Sequence, residues 1–227
     1  MNKEHQEIQA FIFDLDGVIT DTAKYHYEAW KQLADELGIP FDLEVNEQLK
    51  GIDRMASLEK ILSQLPDGGA TFTLEQKKEW ADRKNNNYKQ LIQTVDKSEI
   101  LPGILDLFHD LEYAGIPIGL ASASRNAGTL LRQLKVDSYF HVIAAPESVA
   151  HGKPAPDIFL KAAEELGVDP RYCVGVEDAE AGVQAIKSAG MFAVGVGDAK
   201  ILSKADYIVS ETSKLSLSEI QQHMAGR

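Results

Sequence analysis

The sequence predicts an α/β protein, a doubly wound parallel sheet of Rossmann type that is interrupted by an all-helical insertion. Three observations lead to this prediction. A short apolar run at 8–13 is typical of a buried strand. Residues 22–97 then show helical periodicity and no convincing strand. From Leu101 onward, short apolar runs alternate with helical segments, and this βαβα rhythm is typical of a parallel sheet with helices on both faces.

Three helices are predicted in the insertion. The first ends at Gly38 and carries apolar residues at helical spacing, namely Tyr25, Ala29, Leu33 and Leu37. The second covers 55–65, and the third opens with a capping-box pattern at Thr73 and Gln76 and runs to about residue 95. Because this block directly follows the first strand, we expect a lid over the carboxyl end of that strand, one that can close and exclude water.

The remaining elements follow in chain order. They are a helix over 102–114, a strand over 116–121, a helix over 127–134, a strand over 142–145, a helix over 157–166, a strand over 172–176, a helix over 181–189, strands over 192–196 and 207–209, and a helix over 216–224. Glycines at 115, 167 and 190 end three of these helices. We therefore predict a core domain from residues 1–21 and 98–227 and a helical cap domain from residues 22–97.

Composition narrows the class of function. The chain has 227 residues and a net charge of −12, which argues against a nucleic-acid binder because such a protein needs a basic face. Its one cysteine, Cys173, allows no intramolecular disulfide and no thiolate metal cluster. No apolar run approaches the ~20 residues of a membrane span, and the polar residues 1–9 contain no signal-peptide stretch. We expect a cytoplasmic monomer with no membrane or nucleic-acid partner.

The first strand ends in two carboxylates, Asp14 and Asp16. Side chains at i and i+2 of an extended chain project to the same side, and ligands of open parallel sheets bind at the carboxyl ends of the strands. Two ionised carboxylates about 4 Å apart would repel by roughly 4 kcal/mol at an effective dielectric near 20. Either a cation neutralises them or one keeps its proton, and both solutions suggest chemistry. The alternative is a strand end capped by solvated acids.

Two further strand ends carry residues suited to an anion. One holds Ser122, Ser124, Arg125 and Asn126. Hydroxyls and free backbone N–H groups at a helix start can bind a phosphate, or they can simply cap the helix. The other holds Lys153 beside prolines that fix the loop, and a lysine held in this way is a candidate for pairing with an anion.

A fourth strand end carries Glu177 and Asp178. Together with Asp14 they offer the oxygen ligands that suit a hard, roughly octahedral Mg²⁺. The alternative for this pair is a charged first turn favoured by the helix dipole, and we assign Glu180 to that alternative.

These four motifs, in this order, resemble those of the haloacid dehalogenase-like phosphotransferases, over nearly the whole chain and with a helical cap after the first motif. The resemblance implies that Asp14 is a nucleophile that forms an aspartyl-phosphate and that Asp16 is the general acid/base. It also implies Mg²⁺ held by Asp14, Glu177, Asp178 and the main-chain carbonyl of Asp16, with Ser122 and Lys153 in the catalytic set. A metal and fixed donors are what phosphoryl transfer needs.

A closer resemblance lies inside this superfamily. The segments 14–22 with His26, 50–57, 83–88, 122–126 and 153–157 look like those of the β-phosphoglucomutases. By this resemblance Arg54 grips the phosphate distal to the metal, helped by Ser124, Arg125 and Asn126.

The same resemblance implies roles for other cap residues. Gly51 and Ile52 contact the sugar, and Lys50, Ser57 and Lys84 line the cap side of the site. His26 helps to couple cap closure to catalysis. Without the resemblance, His26 is better interpreted as a partly buried structural histidine and Lys84 as a solvated charge.

The implied activity is the reversible conversion of β-D-glucose 1-phosphate to glucose 6-phosphate through phospho-Asp14 and β-glucose 1,6-bisphosphate, so sugar phosphates are the expected partners. The nearest alternative is a sugar-phosphate or phosphoglycolate phosphatase on the same scaffold. A receiver-like regulator is disfavoured because receivers are smaller and lack Asp16 and the helical insertion. A dinucleotide-binding enzyme is disfavoured because Gly195 and Gly197 lack a third glycine at the required spacing.

Overall fold

The computed structural model describes residues 7–49 and 52–226. Its strands and helices are, in chain order, β1 (Ala10–Phe13), α1 (Ala23–Glu36), α2 (Leu43–Glu47), α3 (Arg54–Leu62), α4 (Leu74–Leu91), α5 (Ile104–Tyr113), β2 (Ile118–Ala121), α6 (Ala127–Leu134), β3 (Phe140–Ala144), α7 (Asp157–Leu166), β4 (Cys173–Glu177), α8 (Glu180–Ser188), β5 (Phe192–Val196), β6 (Tyr207–Val209) and α9 (Leu217–Ala225). Over these two ranges, no helix has the length and apolar character that crossing a membrane requires.

The six strands form one parallel sheet in the order β3-β2-β1-β4-β5-β6. β1 is therefore central, and its Phe13 pairs with Leu120 of β2 and Val176 of β4. Because the strands run in the same direction, the residues that follow β1, β2 and β4 meet at one edge of the sheet. Asp14 and Ser122 both lie at this edge.

Alternate residues of β1 enter separate cores on the two faces of the sheet. Phe11 and Phe13 pack with residues of α5, α6 and α9, whereas Ala10 and Ile12 pack with residues of α7 and α8. Burial on both faces explains why β1 is a continuous apolar run rather than an alternating one. The predicted doubly wound α/β fold is confirmed.

Helices α1 to α4, which we call the cap, have a hydrophobic core of their own. Its buried side chains include Trp30, Leu33, Phe41, Leu58 and Leu62. The three predicted cap helices correspond to α1, α3 and α4. The domain boundaries after residues 21 and 97 stay a prediction.

Two segments that join the cap to the sheet lie against each other. Thr20 Oγ1 donates a hydrogen bond to the main-chain oxygen of Glu99 at 2.8 Å, and the N–H of Leu101 donates to the carbonyl of Ile19 at 2.9 Å. Lys24 of α1 donates to the Glu99 carboxylate at 3.0 Å. These contacts tether the cap at the carboxyl edge of the sheet.

Some elements differ from their predicted bounds. The edge strand β3 covers 140–144 rather than 142–145, because its residues are only alternately buried and give a weak apolar signal. Helix α2 was not predicted, since five residues are too few to show a period. Its start is fixed by Asp42, whose carboxylate accepts a hydrogen bond from the N–H of Val45 at 2.9 Å.

Candidate active site

A cavity of about 650 Å³ lies between the carboxyl edge of the sheet and the cap. Thirteen of the residues predicted for the site line it: Asp14, Asp16, His26, Ile52, Arg54, Ser57, Lys84, Ser122, Ser124, Arg125, Asn126, Lys153 and Asp178. Glu177 is fully buried and makes contact with Lys153. The predicted residues Lys50 and Gly51 lie outside the described residues.

Lys153 links the two buried carboxylates of the core. Its Nζ donates to Asp14 Oδ1 and to Glu177 Oε1, both at 2.6 Å. Burial lowers the pKa of Lys153, but the carboxylates of Asp14 and Glu177 outweigh burial, so the pKa lies above its usual value. Lys153 is therefore a permanent positive charge beside Asp14.

Three carboxylates lie close enough together to hold one metal ion. Oxygens of Asp14, Glu177 and Asp178 lie within 4.8 Å of one another. One lysine cannot balance three ionised carboxylates, so a divalent cation would complete the charge balance. Glycines leave room for the carboxylates, because a Cβ at Gly17 would collide with Asp178 and a Cβ at Gly182 with Glu177. An oxygen-only donor set fits a hard divalent cation.

Asp16 lies at the cap side of this cluster. Its Oδ1 accepts a short hydrogen bond from Thr22 Oγ1, and Thr22 also bonds to the hydroxyl of Tyr88 at 3.1 Å. His26 Nε2 lies 3.9 Å from Asp16 Oδ2. Burial and the negative charge of Asp14 raise the pKa of Asp16 to about 7. A carboxyl group with such a pKa can both accept and donate a proton near neutral pH.

Lys84 and His26 form a second polar group, on the cap. Lys84 Nζ lies 2.8 Å from His26 Nδ1 and packs over the rings of Trp30 and Tyr88 at 4.7 and 4.9 Å. Burial and the charge of Arg54 lower the pKa of Lys84 to about 7. Burial, then Lys84, lowers the pKa of His26 well below its usual value, so His26 is neutral and Nδ1 accepts the hydrogen bond.

The loop between β2 and α6 presents hydroxyl and amide groups to the cavity. The N–H of Ser124 donates to Ser122 Oγ at 3.1 Å, and the N–H of Asn126 donates to Ser124 Oγ at 3.3 Å. Asn126 Nδ2 donates to Asn85 Oδ1 of the cap helix α4 at 2.9 Å. This loop is therefore ordered at the start of α6 and is joined to the cap by a side-chain hydrogen bond.

Two arginines line the cavity from different elements, Arg54 from α3 and Arg125 from the β2–α6 loop. Burial and the positive charge of Arg125 lower the pKa of Arg54. Their ion pairs are long, at 3.6 Å between Arg54 and Asp82 and 3.9 Å between Arg125 and Glu147. Two guanidinium groups that repel each other and are only loosely paired suit a phosphate dianion.

Several residues of the site were not singled out by the sequence. Thr22, Asn85 and Tyr88 lie within the motifs at 14–22 and 83–88, which therefore held a signal for them. Asn46 lines the cavity from α2, and no sequence motif pointed to it. Ser57 lines the cavity, but its hydroxyl donates to the main-chain oxygen of Asp53 at 2.9 Å.

Comparisons with known proteins agree with this geometry. The family model of the haloacid dehalogenase-like hydrolases matches residues 8–190. A β-phosphoglucomutase of Bacillus subtilis is 51% identical over 95% of each chain. A fructose-1-phosphate phosphatase of Escherichia coli is 32% identical over 85% of this chain and 98% of its own. The crystal structure of a β-phosphoglucomutase from Clostridium difficile superposes with a TM-score of 0.94 and 47% identity, covering 96% of this chain and 98% of its own.

Proposed function

We propose, since the chain belongs to the haloacid dehalogenase-like hydrolase family, that it acts as a β-phosphoglucomutase. The reaction is the interconversion of β-D-glucose 1-phosphate and glucose 6-phosphate. The family resemblance seen in the motifs is confirmed, and the predicted mutase activity agrees with the likeness to β-phosphoglucomutases over 95% of the chain.

One observation in the site carries this proposal over a phosphatase: the cavity has a second cationic cluster. Arg54 comes from the cap and Arg125 from the β2–α6 loop, whereas the nucleophile cluster of Asp14, Lys153 and Glu177 belongs to the core. A phosphatase that acts on a sugar monophosphate needs a phosphate site only at its nucleophile. A mutase that turns over a bisphosphate needs a second one, and these arginines supply the charge for it.

The metal ion of the site is Mg²⁺ in this proposal. Asp14, Glu177 and Asp178, with the main-chain carbonyl of Asp16, would hold it. When bound, it would offset charge on the transferring phosphoryl group. Lys153, which donates hydrogen bonds to the carboxylates of Asp14 and Glu177, adds a fixed positive charge to the same site.

The first transfer starts from phospho-Asp14 and β-glucose 1-phosphate. The bond between phosphorus and the Asp14 oxygen breaks as a bond to the sugar 6-oxygen forms. Asp16 takes the proton of the 6-hydroxyl. The products are free Asp14 and β-glucose 1,6-bisphosphate.

The second transfer is the reverse process at the other end of the sugar. After the bisphosphate turns over in the site, Asp14 attacks the 1-phosphoryl group and Asp16 gives its proton to the leaving oxygen. Glucose 6-phosphate and phospho-Asp14 result. A pKa of about 7 at Asp16 suits both directions, because neither protonation state is strongly disfavoured.

The remaining predicted residues recognise the sugar phosphate. Arg54, Ser124, Arg125 and Asn126 bind the distal phosphate, with Ser122 at the nucleophile end. Lys50, Gly51, Ile52, Ser57 and Lys84 line the sugar site, and His26 couples cap closure to catalysis. Closure matters because water competes with the sugar for phospho-Asp14, and a closed cap excludes it.

We extend the proposal to the state of the protein in the cell. A net charge of −12 disfavours nucleic acid, and described residues of both the cap and the core of one chain line the cavity. We therefore propose a cytoplasmic monomer.

The deciding experiment supplies β-glucose 1-phosphate, Mg²⁺ and a trace of β-glucose 1,6-bisphosphate, and measures glucose 6-phosphate and free phosphate together. We expect glucose 6-phosphate with little free phosphate. Predominant phosphate release would sink the mutase assignment and favour a phosphatase. Asp14→Asn should abolish both products, while Asp110→Asn, an exposed aspartate of α5, should leave them unchanged.

A further inference from the structure

Asn46 is a buried polar residue that faces the cavity. It lies in the cap helix α2, is 7% exposed, and lines the cavity wall. Between residues 7–49 and 52–226, no hydrogen bond to its side-chain carboxamide is formed. Neither polar atom of this carboxamide is fully enclosed without a partner, so the amide keeps some accessible surface and can meet a group that enters the cavity.

The other buried polar side chains on the cap side of the cavity have partners. Ser57 donates its hydroxyl to the carbonyl of Asp53 at 2.9 Å. Lys84 donates to His26 at 2.8 Å. Among the described cap residues that are both buried and polar at this wall, Asn46 is thus the one whose side chain has its whole hydrogen-bonding capacity available.

The backbone around Asn46 does not need this side chain. The N–H of Asn46 donates to the carbonyl of Asp42 at 3.0 Å, and its carbonyl accepts from the N–H of Leu49 at 2.9 Å. The carboxylate of Asp42, not the amide of Asn46, caps the helix. A role in local folding therefore does not explain a buried amide here.

Part of the cap wall of the cavity is apolar. Trp30, Leu49 and Ile52 line the same side of the cavity. In such a wall a single carboxamide gives orientation, because it is both a donor and an acceptor and can bind a hydroxyl group in either sense. The hydroxyl groups of a hexose ring have this dual character.

We infer that the Asn46 carboxamide hydrogen-bonds a ring hydroxyl of the hexose phosphate and so positions the sugar in the cap. This inference rests on the proposed function for the class of its ligand. It adds a sugar-recognising residue to the cap residues that the proposed function places at the sugar site.

The test compares a substrate that carries a sugar with one that lacks it. Asn46→Ala should lower kcat/KM for β-glucose 1-phosphate on the order of 10-fold, as expected for one lost hydrogen bond in a buried site. Phosphorylation of Asp14 by acetyl phosphate, which has no hydroxyl groups, should stay within twofold of wild type. Asn46→Asp keeps the shape but loses the donors, and it should lose at least as much on the sugar substrate.

Asn87→Ala is the matched control. Asn87 is a cap asparagine whose amide donates to Gln32 at 3.0 Å, outside the cavity wall. It should behave as wild type on both substrates. The inference fails if Asn46→Ala stays within twofold of Asn87→Ala on the sugar substrate, or if the loss is equal with acetyl phosphate.

Two further measurements distinguish an error in the role of Asn46 from a folding defect of the variants and from an error in the proposed mutase activity. Thermal unfolding of both Asn46 variants identifies a loss of activity that is caused by instability. Such a loss would lower activity with both substrates alike and would overturn the inference. If the wild-type protein releases free phosphate from hexose phosphates, the mutase proposal fails. The same comparison of the sugar substrate with acetyl phosphate then still decides the role of Asn46.

Discussion

Two buried lysines line the same cavity, and their surroundings shift their pKa values in opposite directions. Lys153 of the core is 4% exposed and Lys84 of the cap is 3% exposed. Lys153 contacts two carboxylates, which raise its pKa despite burial. Lys84 contacts the neutral His26 and two aromatic rings, and burial with the charge of Arg54 lowers its pKa to about 7.

The difference between the two lysines shows that the core and the cap have different roles in the site. Carboxylates at strand ends hold the core lysine in one charge state, which suits a group that balances a phosphoryl transfer. The cap lysine sits among weak partners, so its charge depends on what enters the cavity. An anion such as a sugar phosphate would favour its charged form. The charge of the core lysine is thus fixed, whereas the charge of the cap lysine changes when a ligand binds.

The largest expected effect comes from breaking the core side of this comparison with Lys153→Met. It leaves Asp14 and Glu177 buried together without their cation. Removing one partner of a buried ion pair costs about 3–5 kcal/mol in the free energy of unfolding. Loss of a fixed cation at the phosphoryl group should reduce its transfer on the order of 10³-fold. Urea unfolding and labelling of Asp14 by acetyl phosphate measure the two effects.

Lys161→Met supplies the control for this variant. Lys161 lies on α7 and forms an exposed ion pair with Glu164 at 3.0 Å. Its replacement should change the free energy of unfolding by less than about 0.5 kcal/mol and leave transfer unchanged. A Lys153→Met protein that labels Asp14 at the wild-type rate would show that the core lysine is structural.

An intermediate effect is expected on the cap side, from Lys84→Met. The folded-state pKa of Lys84, about 7, lies below its ordinary value of 10.5, so the unfolded state binds more protons between these values. The contribution of Lys84 to the free energy of unfolding is therefore most favourable above pH 10.5. It falls as the pH is lowered from 10.5, and the loss is complete once the pH has fallen through 7. Relative to Lys84→Met, wild type should gain about 2 kcal/mol in the free energy of unfolding between pH 7 and pH 9.

Urea unfolding of both proteins at the two pH values checks this prediction, with Lys89→Met, an exposed lysine of the same helix, as the control. The difference in the free energy of unfolding between wild type and Lys89→Met should be the same at pH 7 and pH 9. If the difference between wild type and Lys84→Met is also the same at both pH values, Lys84 keeps an ordinary pKa. The contrast between Lys84 and Lys153 would then disappear. Labelling of Asp14 by acetyl phosphate should be nearly unaffected in Lys84→Met, unlike in Lys153→Met.

The core half of the site was the predictable half. Asp14 follows a short apolar run that is buried on both faces, and such a run is typical of an interior strand of a parallel sheet. The carboxyl ends of parallel strands share one edge, so Asp14, Ser122 and Glu177 had to lie near one another. General rules of topology therefore reach this cluster without any knowledge of side-chain packing.

The cap half depends on packing that the sequence does not display. Helix α4 is polar along most of its length, and nothing in its pattern separates the buried Lys84 from the exposed Lys78 or Lys89. Only the family resemblance pointed to Lys84. Asn46 had no signal at all, because α2 is too short for a hydrophobic period and its burial comes from the tertiary contacts of the cap.

The smallest expected effect concerns the contact that joins the two regions, and Asn85→Ala removes it. Asn126 of the core donates to Asn85 of the cap at 2.9 Å, and one such neutral hydrogen bond contributes about 0.5–1.5 kcal/mol. If this bond favours the closed cap, its loss should raise KM for β-glucose 1-phosphate roughly 2–10-fold and leave kcat nearly unchanged. Steady-state kinetics with Asn87→Ala as the control would measure this. A large fall in kcat with unchanged KM would instead place Asn85 in the chemistry itself, and the division of labour between core and cap would have to be redrawn.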